Sequence, residues 1–195
     1  MFPWLSFLSY VLIVIYTPGP NNIMSMNSAK NVGFKKTLKF ISGIFVGAFV
    51  TILLCMLFSA YLYNLTPKIQ LPMKILGAVY MVYLMIKTVV PKKNNEASEN
   101  KNSNTGFFIG IALQFINPKL IMFGITVASS YILPYYNQIP VLLLFTLLLT
   151  AIGSTGVLCW AMFGSLFSVI FSKHGTIVNI IMALLLLYCI ISLFI

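Results

Sequence analysis

The chain has 195 residues, 60% of them apolar and 7% charged, with a mean hydropathy of +1.00. Roughly 25% of a soluble domain is charged, so a water-facing globule is excluded and a polytopic membrane protein is expected. All twelve basic side chains are lysines, and Glu96 and Glu99 are the only acids, giving a net charge of +10. In a soluble protein that surplus would suggest nucleic-acid binding. Here the lysines lie mostly between apolar runs, where sorting by membrane side explains them, so no nucleic-acid partner is expected.

In chain order, apolar runs fall at 3–26, 38–63, 71–88, 106–133, 140–163 and 176–195. A crossing takes about 20 apolar residues, so each run can cross the bilayer as a helix. The runs do not alternate apolar and polar, which excludes a closed barrel. Met1-Phe2-Pro3-Trp4 has no basic stretch and no small-residue cleavage pattern follows, so the first run is expected to be retained as a span. The connections are placed at 27–39, 64–70, 89–105, 134–139 and 164–175. The segment Pro91-Lys92-Lys93-Asn94-Asn95-Glu96 and its continuation to Asn104 cannot form a core and reads as a solvated linker. The expected fold class is therefore an all-α integral membrane protein with six transmembrane helices. It divides into a three-helix unit at 1–90, a polar linker at 91–105 and a second three-helix unit at 106–195.

Lysines set the orientation. Lys30, Lys35, Lys36 and Lys39 flank the first connection, Lys87, Lys92, Lys93 and Lys101 the third, and Lys173 the fifth. Only Lys68 and Lys74 mark the opposite side. Connections one, three and five are expected to be cytoplasmic, with both termini outside. Trp4, Tyr61, Tyr63, Tyr131, Tyr135 and Tyr136 would then lie near the outer interface. Three spans on either side of a cytoplasmic linker run in opposite senses, which predicts a 3+3 inverted repeat. Weak internal similarity agrees: Pro20-Asn21-Asn22-Ile23-Met24 aligns with Pro118-Lys119-Leu120-Ile121-Met122, and 74–83 aligns with 179–188.

The first and fourth spans are interrupted, by Thr17-Pro18-Gly19-Pro20-Asn21-Asn22 and by Gln114-Phe115-Ile116-Asn117-Pro118-Lys119. At ~1.5 Å rise per residue, both breaks fall near the middle of the bilayer. Pro18 and Pro20 free the carbonyls of Val14 and Tyr16, and Pro118 frees that of Gln114. Such groups persist in hydrocarbon only where neighbouring helices or a wet cavity satisfy them. Lys119 is the sharpest residue, because an ammonium at this depth costs at least ~2.5–3.5 kcal/mol and no span contains an acid to pair with it. It must face water, freed carbonyls such as that of Gln114, or an anionic ligand.

These parts suit a zwitterion. The half-helix beginning near Asn21 turns its positive end to the cavity and favours a carboxylate, with Lys119 adding to the attraction. A substrate ammonium would take the freed carbonyls, helped by Asn22, Gln114 and Asn117. A second ammonium would find no carboxylate, so the expected cargo is a small neutral amino acid. The candidate substrate-binding residues are Pro18, Gly19, Pro20, Asn21, Asn22, Gln114, Asn117 and Lys119.

Cys55, Cys159 and Cys189 lie in apolar runs without CxxC or Cys/His spacing and read as packing residues. With a single histidine, His174, placed in a loop, no metal site is expected, and no phosphate loop or other cofactor motif occurs. Gly43-x-x-x-Gly47, and Gly153 with Gly156, permit close helix contact within the chain. The sequence leaves homo-oligomerisation open.

Thr17-Pro18-Gly19-Pro20-Asn21, with Gly33 and the small-residue segment 43–48, resembles the LysE/RhtB superfamily of amino-acid exporters. The stretch 112–119, followed by Gly124, Thr126 and Leu133-Pro134, is similar to its cysteine and O-acetylserine exporter branch. So are Asn179-Ile180, 183–186 and Tyr188-Cys189. The resemblance covers the whole chain and implies a non-enzymatic, multi-pass protein of the bacterial cytoplasmic membrane. It also implies amino-acid efflux by alternating access, with a proton as coupled partner. Since the only acids lie in the linker, that proton would need Lys119, a tyrosine, water or the substrate amine. A threonine or homoserine exporter is the alternative within the superfamily. A membrane thiol-redox conduit is the alternative outside it, although the breaks carry Asn and Lys rather than cysteine.

Overall fold

The computed structural model describes residues 2–17, 19–65 and 106–192, with scattered positions between 71 and 86. The six helices drawn through the three continuous stretches are α1 (Trp4–Tyr16), α2 (Pro20–Val32), α3 (Phe34–Leu65), α4 (Phe107–Phe115), α5 (Pro118–Thr126) and α6 (Ile139–Ser192). A π-helical turn, Val127–Ile132, continues α5. The linker 91–105 and most of the third run lie outside the described residues, as does Pro18.

The punctuation follows local chemistry. α1 stops as the chain enters Thr17-Pro18, whose ring cannot continue the ladder. α2 restarts with Pro20 in its first turn, where the missing N–H has no partner to lose. α5 repeats the device with Pro118 in its first turn and adds a side-chain cap, since Asn117 Oδ1 accepts from the N–H of Lys119 at 3.1 Å and of Leu120 at 3.4 Å. Gly33, at φ 85°, is the only described residue with positive φ, and it turns α2 into α3.

Two of the expected connections change. Helix α2 runs on to Val32, so the lysine-bearing connection placed at 27–39 contracts to Gly33. The connection placed at 164–175 is helical, and α6 continues unbroken for 54 residues. Its serines, Lys173 and His174 are polar, but no proline interrupts them, and a glycine costs a helix only about 1 kcal/mol. Among the described residues two helices are long and apolar enough to cross a membrane, Phe34–Tyr63 and Ile139–Phe163. The pair Phe107–Phe115 and Pro118–Ile132, bent by 58°, makes a third crossing if taken as one span.

Helices α3 and α4 pack backbone to backbone. A Cβ on Gly43 would strike the carbonyl of Phe107, and one on Gly110 the carbonyl of Phe40. The Gly43-x-x-x-Gly47 motif thus serves contact within the chain. Gly156 likewise abuts Ile15, whereas a Cβ on Gly153 would meet nothing within 4 Å among the described residues. The main core gathers Phe7, Tyr10, Val14, Ile52, Phe123 and Tyr131. Tyr131 is 1% exposed, stacks on Tyr10 at 5.7 Å and meets Ser6 Oγ at 3.2 Å. It is therefore a core residue, whereas Trp4, Tyr61 and Tyr135 are exposed.

Candidate functional site

The two breaks meet. Asn21 at the start of α2 and Gln114 at the end of α4 exchange amide hydrogen bonds, Asn21 Nδ2 donating to Gln114 Oε1 at 2.8 Å and Gln114 Nε2 to Asn21 Oδ1 at 3.1 Å. Asn117 Nδ2 also donates to Asn21 Oδ1, at 3.3 Å. Gln114 is fully buried and sends a further bond from Nε2 to Gly110 O at 3.0 Å. Gly47 lets it in, because a Cβ there would lie 2.8 Å from Gln114 Cγ.

The carbonyls freed at the first break are all occupied. Thr17 Oγ1 donates to Ile13 O at 2.6 Å and Val14 O at 3.0 Å. Asn22 Nδ2 reaches Ile15 O at 2.9 Å and Thr17 O at 3.0 Å. Tyr16 O accepts from Trp160 Nε1 at 3.1 Å, on α6. In this structure the protein's own donors hold the carbonyls that a substrate ammonium is expected to take.

Lys119 belongs to this closure. Its Nζ donates to Thr17 O at 2.9 Å and to Thr17 Oγ1 at 3.3 Å. The ammonium of the second break thus sits on the C-terminal end of α1, where the helix dipole is negative. Thr17 is thus among its partners. Gly19 is what allows the approach, since a Cβ there would lie 2.8 Å from Nζ and 2.9 Å from Cδ.

A cavity of about 610 Å³, counted out into its open mouth, lies against these groups. Gly19, Pro20, Asn21 and Asn22 line one side and Asn117 and Lys119 another. Helix α3 contributes Ile44, Ala48 and Ile52, and α6 contributes Leu149, Thr150, Gly153, Ser154 and Val157. The two helix starts at the cavity differ, because Asn117 caps α5 whereas no side chain caps α2. The positive end of α2 is left for another acceptor.

Of the residues named from sequence, Gly19, Pro20, Asn21, Asn22, Asn117 and Lys119 line the cavity. Gln114 stands behind Asn21, and Pro18 lies outside the described residues. Thr17 and Trp160 were missed as site residues. Trp160 had a signal: an indole N–H in an apolar run needs an acceptor, and the Tyr16 carbonyl was already known to be freed. Cys55 and Cys159 are free thiols. Cys55 packs on Gly124 and lies 3.7 Å from Ile121 O. Among the described residues no cluster of His, Cys, Asp or Glu could hold a metal.

Two broken helices of an apolar, helical chain thus meet at a mostly apolar cavity that carries amides and a lysine on two of its sides. The family model of the LysE type translocator matches residues 12–195, and the chain belongs to that family. It is a membrane transporter and not an enzyme. The cysteine/O-acetylserine efflux protein of Klebsiella pneumoniae is 36% identical over 184 residues, covering 94% of this chain and 93% of that protein. Proteins of the same name from Salmonella choleraesuis and Escherichia coli are 35% and 34% identical over 189 residues, covering 97% of this chain and 96% of theirs. No solved structure matches the chain.

Proposed function

We propose that this translocator exports small neutral amino acids, cysteine and O-acetylserine first among them, across the bacterial cytoplasmic membrane. The observation that carries this reading is the Lys119–Thr17 bond across the two breaks, at a cavity entered by the uncapped end of α2. The names of the relatives supply the cargo.

In this mechanism Lys119 is a latch. A substrate carboxylate at the start of α2 draws Nζ away from Thr17, and the substrate ammonium takes the vacated place on Thr17 O. One zwitterion thus replaces one lysine contact and frees α5 to move against α1. This exchange explains how a dibasic amino acid is refused: its second ammonium meets no carboxylate. The broken α1–α2 and α4–α5 pairs act as the two halves of an inverted repeat, the site alternating between the two faces of the membrane. Lys35, Lys36 and Lys39, all exposed at the start of α3, support a cytoplasmic side there, in line with an N-terminus outside.

The test is uptake of labelled O-acetylserine into inside-out vesicles bearing the parent or an equally abundant Lys119→Ala form. Uptake by the parent alone supports the reading. Equal uptake by both removes Lys119 from the mechanism, and absence of uptake by the parent removes this cargo.

A further inference from the structure

Two walls of the cavity carry the groups that grip a zwitterion, namely the start of α2 with Thr17 behind it, and Lys119 with Asn117. The remaining walls are α3, which is apolar there, and one face of α6. That face is continuous, since Leu149, Thr150, Gly153, Ser154 and Val157 follow the spacing of a single helical stripe. Within it Gly153 is unlike the other glycines described inside helices; Gly33 and Gly106, which also have open space, lie at helix ends. Gly43, Gly47, Gly110, Gly124 and Gly156 each have a neighbour that a Cβ would crowd, which accounts for the glycine by packing. Among the described residues a Cβ at Gly153 would meet nothing within 4 Å, and the residue lines the cavity. Packing does not explain this glycine. Its effect is to leave a recess in the cavity wall between two hydroxyls.

Those hydroxyls are already oriented. Thr150 Oγ1 donates to Thr146 O at 2.8 Å and Ser154 Oγ to Thr150 O at 2.9 Å. Each proton is used within the helix, so each oxygen keeps lone pairs to offer. The wall thus combines a steric recess with acceptor oxygens, which suits a short side chain ending in a thiol or hydroxyl.

We propose that Gly153 is the size-determining residue for the amino-acid side chain, with Thr150 and Ser154 flanking the recess it leaves. This rests on the export reading above and adds to it the wall that selects among neutral amino acids. The backbone groups of the substrate are held identically whatever the side chain, so a change at Gly153 acts on the order of substrates and spares the common grip. A methyl group placed in the recess removes about the room of one methylene, and one methylene is worth roughly 10-fold or more in discrimination.

The experiment compares uptake of a labelled series into inside-out vesicles, normalised to transporter abundance: alanine, 2-aminobutyrate, serine, cysteine, homoserine and O-acetylserine. The proteins are the parent, Gly153→Ala, Gly153→Leu, and Leu148→Phe as a control on an exposed face of α6. Gly153→Ala is expected to lower 2-aminobutyrate against alanine, and homoserine against serine, by about 10-fold. Gly153→Leu is expected to abolish O-acetylserine uptake, and Leu148→Phe to match the parent. An unchanged order of substrates in Gly153→Ala overturns the proposal, even if every rate falls together. If the parent carries none of the series, the export reading fails and this inference with it. Transport by the parent with an order insensitive to residue 153 overturns the inference alone.

Discussion

Gly19→Ala isolates the contact between the two breaks without removing a polar group. The backbone at Gly19 is extended, with φ −154° and ψ 173°, so alanine is free to adopt it. The added Cβ would lie 2.8 Å from Lys119 Nζ and 2.9 Å from Cδ, whereas ordinary contact begins near 3.4 Å. Nζ must therefore retreat by about 0.6 Å, which carries its bond to Thr17 beyond the usual range of roughly 2.7–3.2 Å. A hydrogen bond to a charged group is worth about 1.5–3 kcal/mol. In a chain of this size each kcal/mol moves a melting temperature by roughly 2–4 °C, so the detergent-solubilised Gly19→Ala protein should melt about 5 °C lower. The decisive arm is the double mutant. In a Lys119→Ala background the clash is gone, and Gly19→Ala should be neutral, or slightly stabilising by restricting the unfolded chain. A coupling well above the ~0.5 kcal/mol scatter of independent sites is expected. Equal losses in both backgrounds would refute a contact between Gly19 and Lys119 and, with it, the latch.

Two further outcomes follow from the same geometry. Gly43→Val drives a branched side chain into the Phe107 carbonyl, a backbone group that cannot swing aside; separation of α3 from α4 should appear as loss of folded protein on size-exclusion chromatography. Asn117→Ala removes the acceptor for two N–H groups at the start of α5, costing about 1 kcal/mol, and should lower the melting temperature by a few degrees.

The sequence located the breaks to within a residue or two because proline acts locally. A missing N–H and a ring clash are properties of Pro20 and Pro118 whatever surrounds them, and hydrocarbon offers no water to hide the result. The edges of α3 were also close, since an apolar run ends where its composition changes. Local signals misled where polarity stood in for geometry. Asn27 to Asn31 and the 164–175 segment are polar yet helical, because a polar side chain does not break a helix backbone.

Composition, hydropathy and proline spacing by themselves therefore determined that the chain is a helical membrane protein, broken twice, with a lysine in one break. The Thr17–Asn21 motif pointed to the family. Only the tertiary structure decided which atoms close the breaks. Tyr16 is satisfied by a tryptophan 144 positions away, and Thr17 by a lysine 102 positions away. The same holds for glycine: Gly153 and Gly156 are alike in sequence, but one faces a cavity and the other faces Ile15. A freed carbonyl requires a donor, yet which donor arrives is set by how helices distant in sequence are packed, and a local pattern carries no record of that.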